Sequence, residues 1–439
     1  MIKKILFLFL VLPNLLLAQH TIKGEFMPKE QYTWCILYHV TPTQYLYVTD
    51  AKVVDGKFEM QIDSTRAPGV YKMVYGTPQE DKNFDLIYSG KEDIELSFSV
   101  ENGVGFSASE ENMLLAEYNT TMKGAMTQIQ KEYRTEKPNE EHLSALFEMQ
   151  RQLQHTAKTR SQGMLAHQFI KSSQPYIPMA FEPLEDYMEN RKRDYFVPLD
   201  LTNPVLQQSS FILDKCLAFV EEFSTQEDPT SHEQMDAIIA HMNDMDLTYQ
   251  KSLLNQLWGK LVVYDRVDAA NYLAESYLIK LAETAGDKPL ADYLQTFKNT
   301  SIGSKAPDFV WETEEDEKKE KQSLHEMEGA ENYILVFWSS ACSHCLKELP
   351  QLQKSVQNVS EDTFRVIAIG LEDEPYDWKN ETYRYPEFTH VLGLGKWENA
   401  IGNSYSVSQT PTYFVLDKDK KIIAKPEQLK DLQEILAKK

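Results

Sequence analysis

The stretch FWSSACSHCLKELP, Phe337 to Pro350, sets two cysteines two residues apart just after an apolar run ending in tryptophan. YILVFW (333–338) reads as a strand, and CLKELPQLQKSV as a helix beginning at or near Cys342. A thiol at a helix N-terminus meets unpaired amides and the positive end of the helix dipole, which stabilise a thiolate. Cys342 is therefore the expected nucleophile. Cys345, one turn along and less exposed, is placed to attack a mixed disulfide and release its partner. Between them lie Ser343 and His344. An imidazole in this spacer is expected to stabilise the Cys342 thiolate and push the couple toward an oxidising potential; the plainer alternative is that His344 faces solvent.

Zinc is the competing use of such a pair. A structural zinc site takes four ligands, and the other two cysteines, Cys35 and Cys216, lie far away in other parts of the chain. His142, His155, His167, His232 and His241 form no HExxH or similar set, so no metal site is expected. Whether Cys35 and Cys216 pair is left open.

Outward from the pair, strands and helices alternate: YILVFW, the helix, FRVIAIGL, a loop with a short helix, TYFVLD, KKIIAK and a terminal helix. That order predicts an α/β domain with a sheet covered on both faces. GSKAPDF (303–309) leads into it, and the mixed-charge run TEEDEKKEKQ (313–322) is expected to be a solvated loop.

Together FWSSACSHCLKELPQL, GSKAPDF and QTPTYFVLD resemble the thioredoxin fold and, within it, the TlpA/ResA-like thiol-disulfide oxidoreductases, over about residues 301–439. The pattern W-x-x-x-C-x-x-C-x-x-E-x-P-x-L is met by Trp338, Cys342, Cys345, Glu348, Pro350 and Leu352. Ala341 is a departure, since the narrower thioredoxin pattern has a tryptophan directly before the first cysteine. The resemblance implies a redox-active Cys342–Cys345 disulfide and no further cofactor. It implies that Glu348 handles protons near the thiols, against the alternative of a surface carboxylate at a helix start. It also makes Pro411 a cis-proline facing the disulfide. Thr410 would offer backbone groups to an extended substrate segment, and Trp338 would join the substrate-binding surface.

The 439-residue chain is long enough for two or three domains, and 42% hydrophobic residues suffice for packed interiors. MIKKILFLFLVLPNLLLAQH sets Lys3 and Lys4 before a short apolar run with Ala18 at the expected cut, the pattern of a secretory signal peptide over 1–18. An uncleaved anchor fits less well, because Pro13 and Asn14 interrupt the run and no basic flank follows. Removal of the leader would move the net charge from −22 to about −24. So acidic a chain disfavours nucleic acid and anionic membranes as partners.

Residues 19–105 read as a small antiparallel β domain, with strands at 36–40, 45–49, 56–62, 70–75, 84–88 and 94–100 between turn signals. VVDGKFEM and DLIYSGKEDIEL resemble the N-terminal β domain (DUF4369-like) that precedes thioredoxin-like domains in exported Bacteroidetes proteins. Residues 106–300 read as helical: Leu115, Tyr118, Met122, Met126, Ile129 and Tyr133 recur at steps of three and four. Asn139 is expected to cap a second long helix. A proline-rich passage, 175–204, is expected to break the array before helices at 205–223, 232–243, 247–257 and 268–283. The whole is a multidomain chain: antiparallel β, helical, then α/β thioredoxin fold over 301–439.

These features point to an exported thiol-disulfide oxidoreductase of the periplasm or cell envelope of a Gram-negative bacterium, acting on protein thiols and disulfides. The TlpA/ResA resemblance favours a reductase fed by a membrane electron donor and serving apocytochrome c or other thiols. The C-x-H-C spacer favours an oxidase or isomerase. A peroxiredoxin is disfavoured, because Trp338-Ser-Ser-Ala replaces the Thr and Pro expected before a peroxidatic cysteine. An endoplasmic-reticulum isomerase is disfavoured by the EILAKK end, which lacks a KDEL-type signal. In another class, the two N-terminal regions would make a binding or chaperone module with a minor redox role.

Overall fold

The computed structural model describes residues 19–63, 65–224, 231–242, 244–315, 318–357, 359–360 and 362–437. The expected leader, 1–18, lies outside them. The chain divides into two compact units, one ending at Leu257 and one beginning at Trp258.

Among the described residues the first unit opens with eight strands: β1 (Gln19–Met27), β2 (Trp34–Val40), β3 (Tyr45–Lys52), β4 (Lys57–Asp63), β5 (Gly69–Val74), β6 (Asn83–Tyr88), β7 (Ile94–Ser99) and β8 (Gly103–Ala108). They form two four-stranded sheets, ordered β4-β1-β7-β8 and β3-β2-β5-β6. Strict alternation drives the packing: Phe58, Met60 and Ile62 of β4 and Ile94, Leu96 and Phe98 of β7 turn inward. They meet Leu37, Tyr71, Met73, Leu86 and Tyr88 of the other sheet in one core. Six strands fall where periodicity placed them. β1 and β8 add to these, and β1 runs parallel to β7 while its other neighbour, β4, is antiparallel.

Helices follow. Ser109 caps Glu110–Tyr133 by accepting from the Asn112 amide, and Asn139 caps Glu140–Arg160 by accepting from that of His142. The Asn112 side chain accepts from the Ile87 amide and donates to the Ile87 carbonyl, fastening the first helix to the edge of β6. The proline-rich passage is less broken than expected, since Leu184–Asp194 is helical with Tyr187 buried in a small core beside Tyr133 and Phe147.

In the second unit the described residues include helices Val267–Leu273, Ile279–Thr284 and Lys288–Asn299 ahead of seven strands. The first two strands, β9 (Val310–Glu315) and β10 (Lys318–Ser323), form an antiparallel hairpin in the segment expected to be a loop. Its register sets Glu312 opposite Lys321, and opposite charges directly across a ladder favour pairing.

The five-stranded sheet runs β13 (Thr389–Leu394), β12 (Phe364–Glu372), β11 (Asn332–Trp338), β14 (Thr412–Asp417), β15 (Ile422–Ala424). β11, β12 and β13 are parallel; β14 runs against β11, and β15 against β14. Every residue of β11 is buried, as a central strand requires. Tyr333, Leu335 and Phe337 enter one core with Phe309, Trp311, Leu324 and Tyr405. Ile334, Val336 and Trp338 enter the other, beneath helices Cys345–Val356 and Leu429–Ala437. Leu349, Leu352, Leu432 and Leu436 knit those helices to the sheet, each burial favouring the fold by about 2 kcal/mol at most.

Candidate active site

The site lies where the central strand stops. β11 ends at Trp338, the chain turns as the Cys342 amide donates to the Ser339 carbonyl at 3.0 Å, and the first α-helical bond runs from the Leu346 amide to the Cys342 carbonyl at 3.1 Å. The turn therefore delivers Cys342 to the opening of the helix, although regular helix begins only at Cys345. Cys342 is half-buried and Cys345 fully buried.

The two sulfurs have opposite environments. The Cys342 Sγ accepts from the Cys345 amide at 3.3 Å and its thiol donates to the Thr410 carbonyl at 3.3 Å. Partial burial opposes ionisation of Cys342, but hydrogen bonds with the side chains of Cys345 and Thr410 and with the backbone amides of Cys345 and His344 outweigh it and hold the thiol below its ordinary range. Burial pushes Cys345 up to about 12, and its bond with Cys342 adds to the rise. One sulfur is poised to ionise at the surface while its neighbour keeps its proton.

Other expected site residues are distributed unevenly. Residue 344 reaches Cys342 through its backbone amide; its imidazole is exposed and makes no hydrogen bond or ion pair among the described residues. Glu348, one turn beyond Cys345, is half-buried and accepts from the Tyr413 hydroxyl at 2.7 Å. The Thr410–Pro411 bond is cis, and both residues are half-buried beside Cys342. Trp338, expected at the substrate surface, is 0% exposed and packs in the core that holds Cys345. That is a correction: it can support the site from beneath and cannot touch a substrate.

Two residues escaped sequence reasoning. Tyr413 is one. The other is Glu372, a buried carboxylate that accepts from the Ser340 amide at 2.5 Å, the Ser340 hydroxyl at 3.0 Å and the Ser339 hydroxyl at 3.3 Å. It pins the two residues leading into the Cys342 turn. The signal lay in register: the parallel pairing sets Trp338 against Gly370, so two residues further on Glu372 comes beside Ser340.

Comparison with known proteins adds the relatives. The AhpC/TSA family profile matches residues 302–425. The chain is 30% identical to thiol-disulfide oxidoreductase ResA of Bacillus cereus strain ATCC 10987 over 164 residues, 37% of this chain and 91% of that protein. With the ResA of a second Bacillus cereus strain it shares 32% over 124 residues, 28% of this chain and 68% of that protein. Among solved structures, the thioredoxin domain of a thiol-disulfide oxidoreductase from Bacteroides vulgatus is 26% identical, with 31% of this chain and 96% of that one covered at a TM-score of 0.28.

Proposed function

The chain belongs to the ResA-like thiol-disulfide oxidoreductases, and from that premise we propose that it is an exported reductase of protein disulfides. The observation that carries the proposal is the asymmetry of the pair: a half-buried Cys342 whose sulfur accepts the Cys345 amide, next to a buried Cys345 held protonated.

In the proposed cycle the Cys342 thiolate attacks one sulfur of a substrate disulfide. A mixed disulfide forms, the substrate S–S bond breaks, and the first substrate sulfur leaves as a thiolate that takes up a proton. Cys345 then gives up its proton, with Glu348 the nearest carboxylate on its helix, and attacks the Cys342 sulfur. The Cys342–Cys345 bond forms and the second substrate sulfur leaves. The substrate gains two electrons and two protons; the chain ends oxidised and is returned to the dithiol by an electron donor at the membrane. Thr410 and Pro411 would border the docking site.

The reductase direction is supported by the family and by the position of His344. An imidazole donating to the Cys342 sulfur would push the couple further toward an oxidising potential, and here the imidazole is turned to solvent. Export is supported by the 1–18 pattern, which suggests activity in the periplasm or cell envelope, with apocytochrome c and other protein thiols as candidate substrates. The test is trapping. In cells carrying Cys345→Ser, mixed disulfides through Cys342 should accumulate and vanish on reduction. No trapped partner, together with partner binding preserved in Cys342→Ala, would favour the binding-module reading.

A further inference from the structure

Tyr413 is the second residue of β14, two positions past Pro411, and it is 1% exposed. Alternation along the strand sends Tyr413 and Val415 into the core beneath the Cys345–Val356 helix, while Phe414 and Leu416 enter the opposite one. A buried phenol usually finds a hydrogen-bond partner. Tyr385 sits in the same core with none for its hydroxyl among the described residues, so packing alone does not supply one there. The Tyr413 hydroxyl finds Glu348 Oε2 at 2.7 Å.

Glu348 has no ion-pair partner among the described residues, so this phenol is the side-chain donor that fixes its carboxylate. Residues three apart on a helix lie on one face, which sets Glu348 beside Cys345. Loss of the Tyr413 proton is opposed first by burial, then by Glu348, Cys345 and Cys342, so the carboxylate and both sulfurs all bear on this one hydroxyl. The groups facing the dithiol are Glu348 from its own helix, Tyr413 with the carbonyl and side chain of Thr410 from the β14 side, and the backbone of Ser339, His344 and Cys345 from the turn.

We propose that Tyr413 is a positioning residue: its hydroxyl pins the Glu348 carboxylate next to the Cys342–Cys345 pair. The inference deepens the exchange reading above and rests on the same site. A fixed negative charge beside the sulfurs disfavours a second one on Cys342. It thereby destabilises the reduced, thiolate-bearing form and keeps the couple reducing. Without the hydroxyl, the Glu348 carboxylate loses the donor that holds it in place and turns toward solvent. That moves negative charge away from the sulfurs, so Cys342 ionises at lower pH.

The experiment is the pH dependence of iodoacetamide modification of Cys342, followed by mass spectrometry, in the full chain and in Tyr413→Phe, Glu348→Gln and the double variant, with thermal unfolding recorded for each. Tyr413→Phe and Glu348→Gln should each lower the Cys342 midpoint by about half to one pH unit, and the double variant should move no further than Glu348→Gln alone. An unchanged midpoint in Tyr413→Phe would overturn the proposal. So would an equal shift on the Glu348→Gln background, because the phenol would then act without the carboxylate. Alkylation needs no substrate, so these shifts in a chain that failed to exchange disulfides would count against the exchange reading and leave the role of Tyr413 standing.

Discussion

Cys35 and Cys216 in the first unit and Cys342 in the second share one side chain and differ in everything around it. Cys35 sits in β2 inside the β core and Cys216 in the helix Phe211–Phe223; both are buried, and burial pushes each up to about 12. Cys342 stands half-buried at a helix opening with donors aimed at its sulfur, and its pKa falls below the ordinary thiol value. A buried thiol in apolar surroundings is a small hydrophobe; the same thiol among amides is a nucleophile.

The contrast breaks most visibly by deletion. Cys342→Ala should abolish dithiol-driven reduction of insulin, a loss on the order of 10⁴-fold or more as for other nucleophile deletions, while Cys35→Ala and Cys216→Ala leave it within about twofold. Side-by-side alkylation sharpens it. At pH 7 a thiol with a pKa of about 12 is ionised in about one molecule in 10⁵, and one below 9 in at least about one in 10². Iodoacetamide should therefore modify Cys342 at least about a thousandfold faster than Cys35 or Cys216 in the folded chain. In denaturant the three should converge.

Alkaline stability tests the same comparison with the sign reversed between the two regions. A thiol whose pKa is raised to about 12 on folding, from an ordinary value of 9.0, stays protonated in the fold while the unfolded chain ionises. Stability from Cys35 and Cys216 is thus present below about pH 9 and falls between about 9 and 12. For Cys342 the folded value is depressed, so its contribution is full above about 9 and fades as pH falls through the folded value. Thermal unfolding from about pH 8 to about 10.5 should show a shallower alkaline decline in the Cys35→Ala/Cys216→Ala double variant than in the natural chain. The smallest effect is in packing at neutral pH, where each of those substitutions should cost about 1 kcal/mol, read from denaturant midpoints.

Legibility in the sequence follows the range of the interaction. The strand-to-helix junction at Cys342 is local, and the apolar run before it and the helical segment after it revealed it. The Asn139 cap, three residues from its partner amide, was equally plain. Trp338 misled because its match to a motif says nothing about burial; β11 is covered on both faces, and Trp338 turns into the core that holds Cys345. The Glu348–Tyr413 bond spans 65 residues and Glu372 depends on the β11–β12 register, and neither distance nor register is written in a single sequence. The β9–β10 pair hid in a charged run because its strands read as solvated by composition while their pairing is set strand against strand.

Whether this pair carries electrons toward substrate disulfides is read from the reduction potential of the Cys342–Cys345 couple. Equilibration of the full chain against glutathione or dithiothreitol should give a value near thioredoxin's, about −270 mV. A value near that of the strong oxidant DsbA, about −120 mV, would instead make the chain a donor of disulfides and rule out the reductase direction.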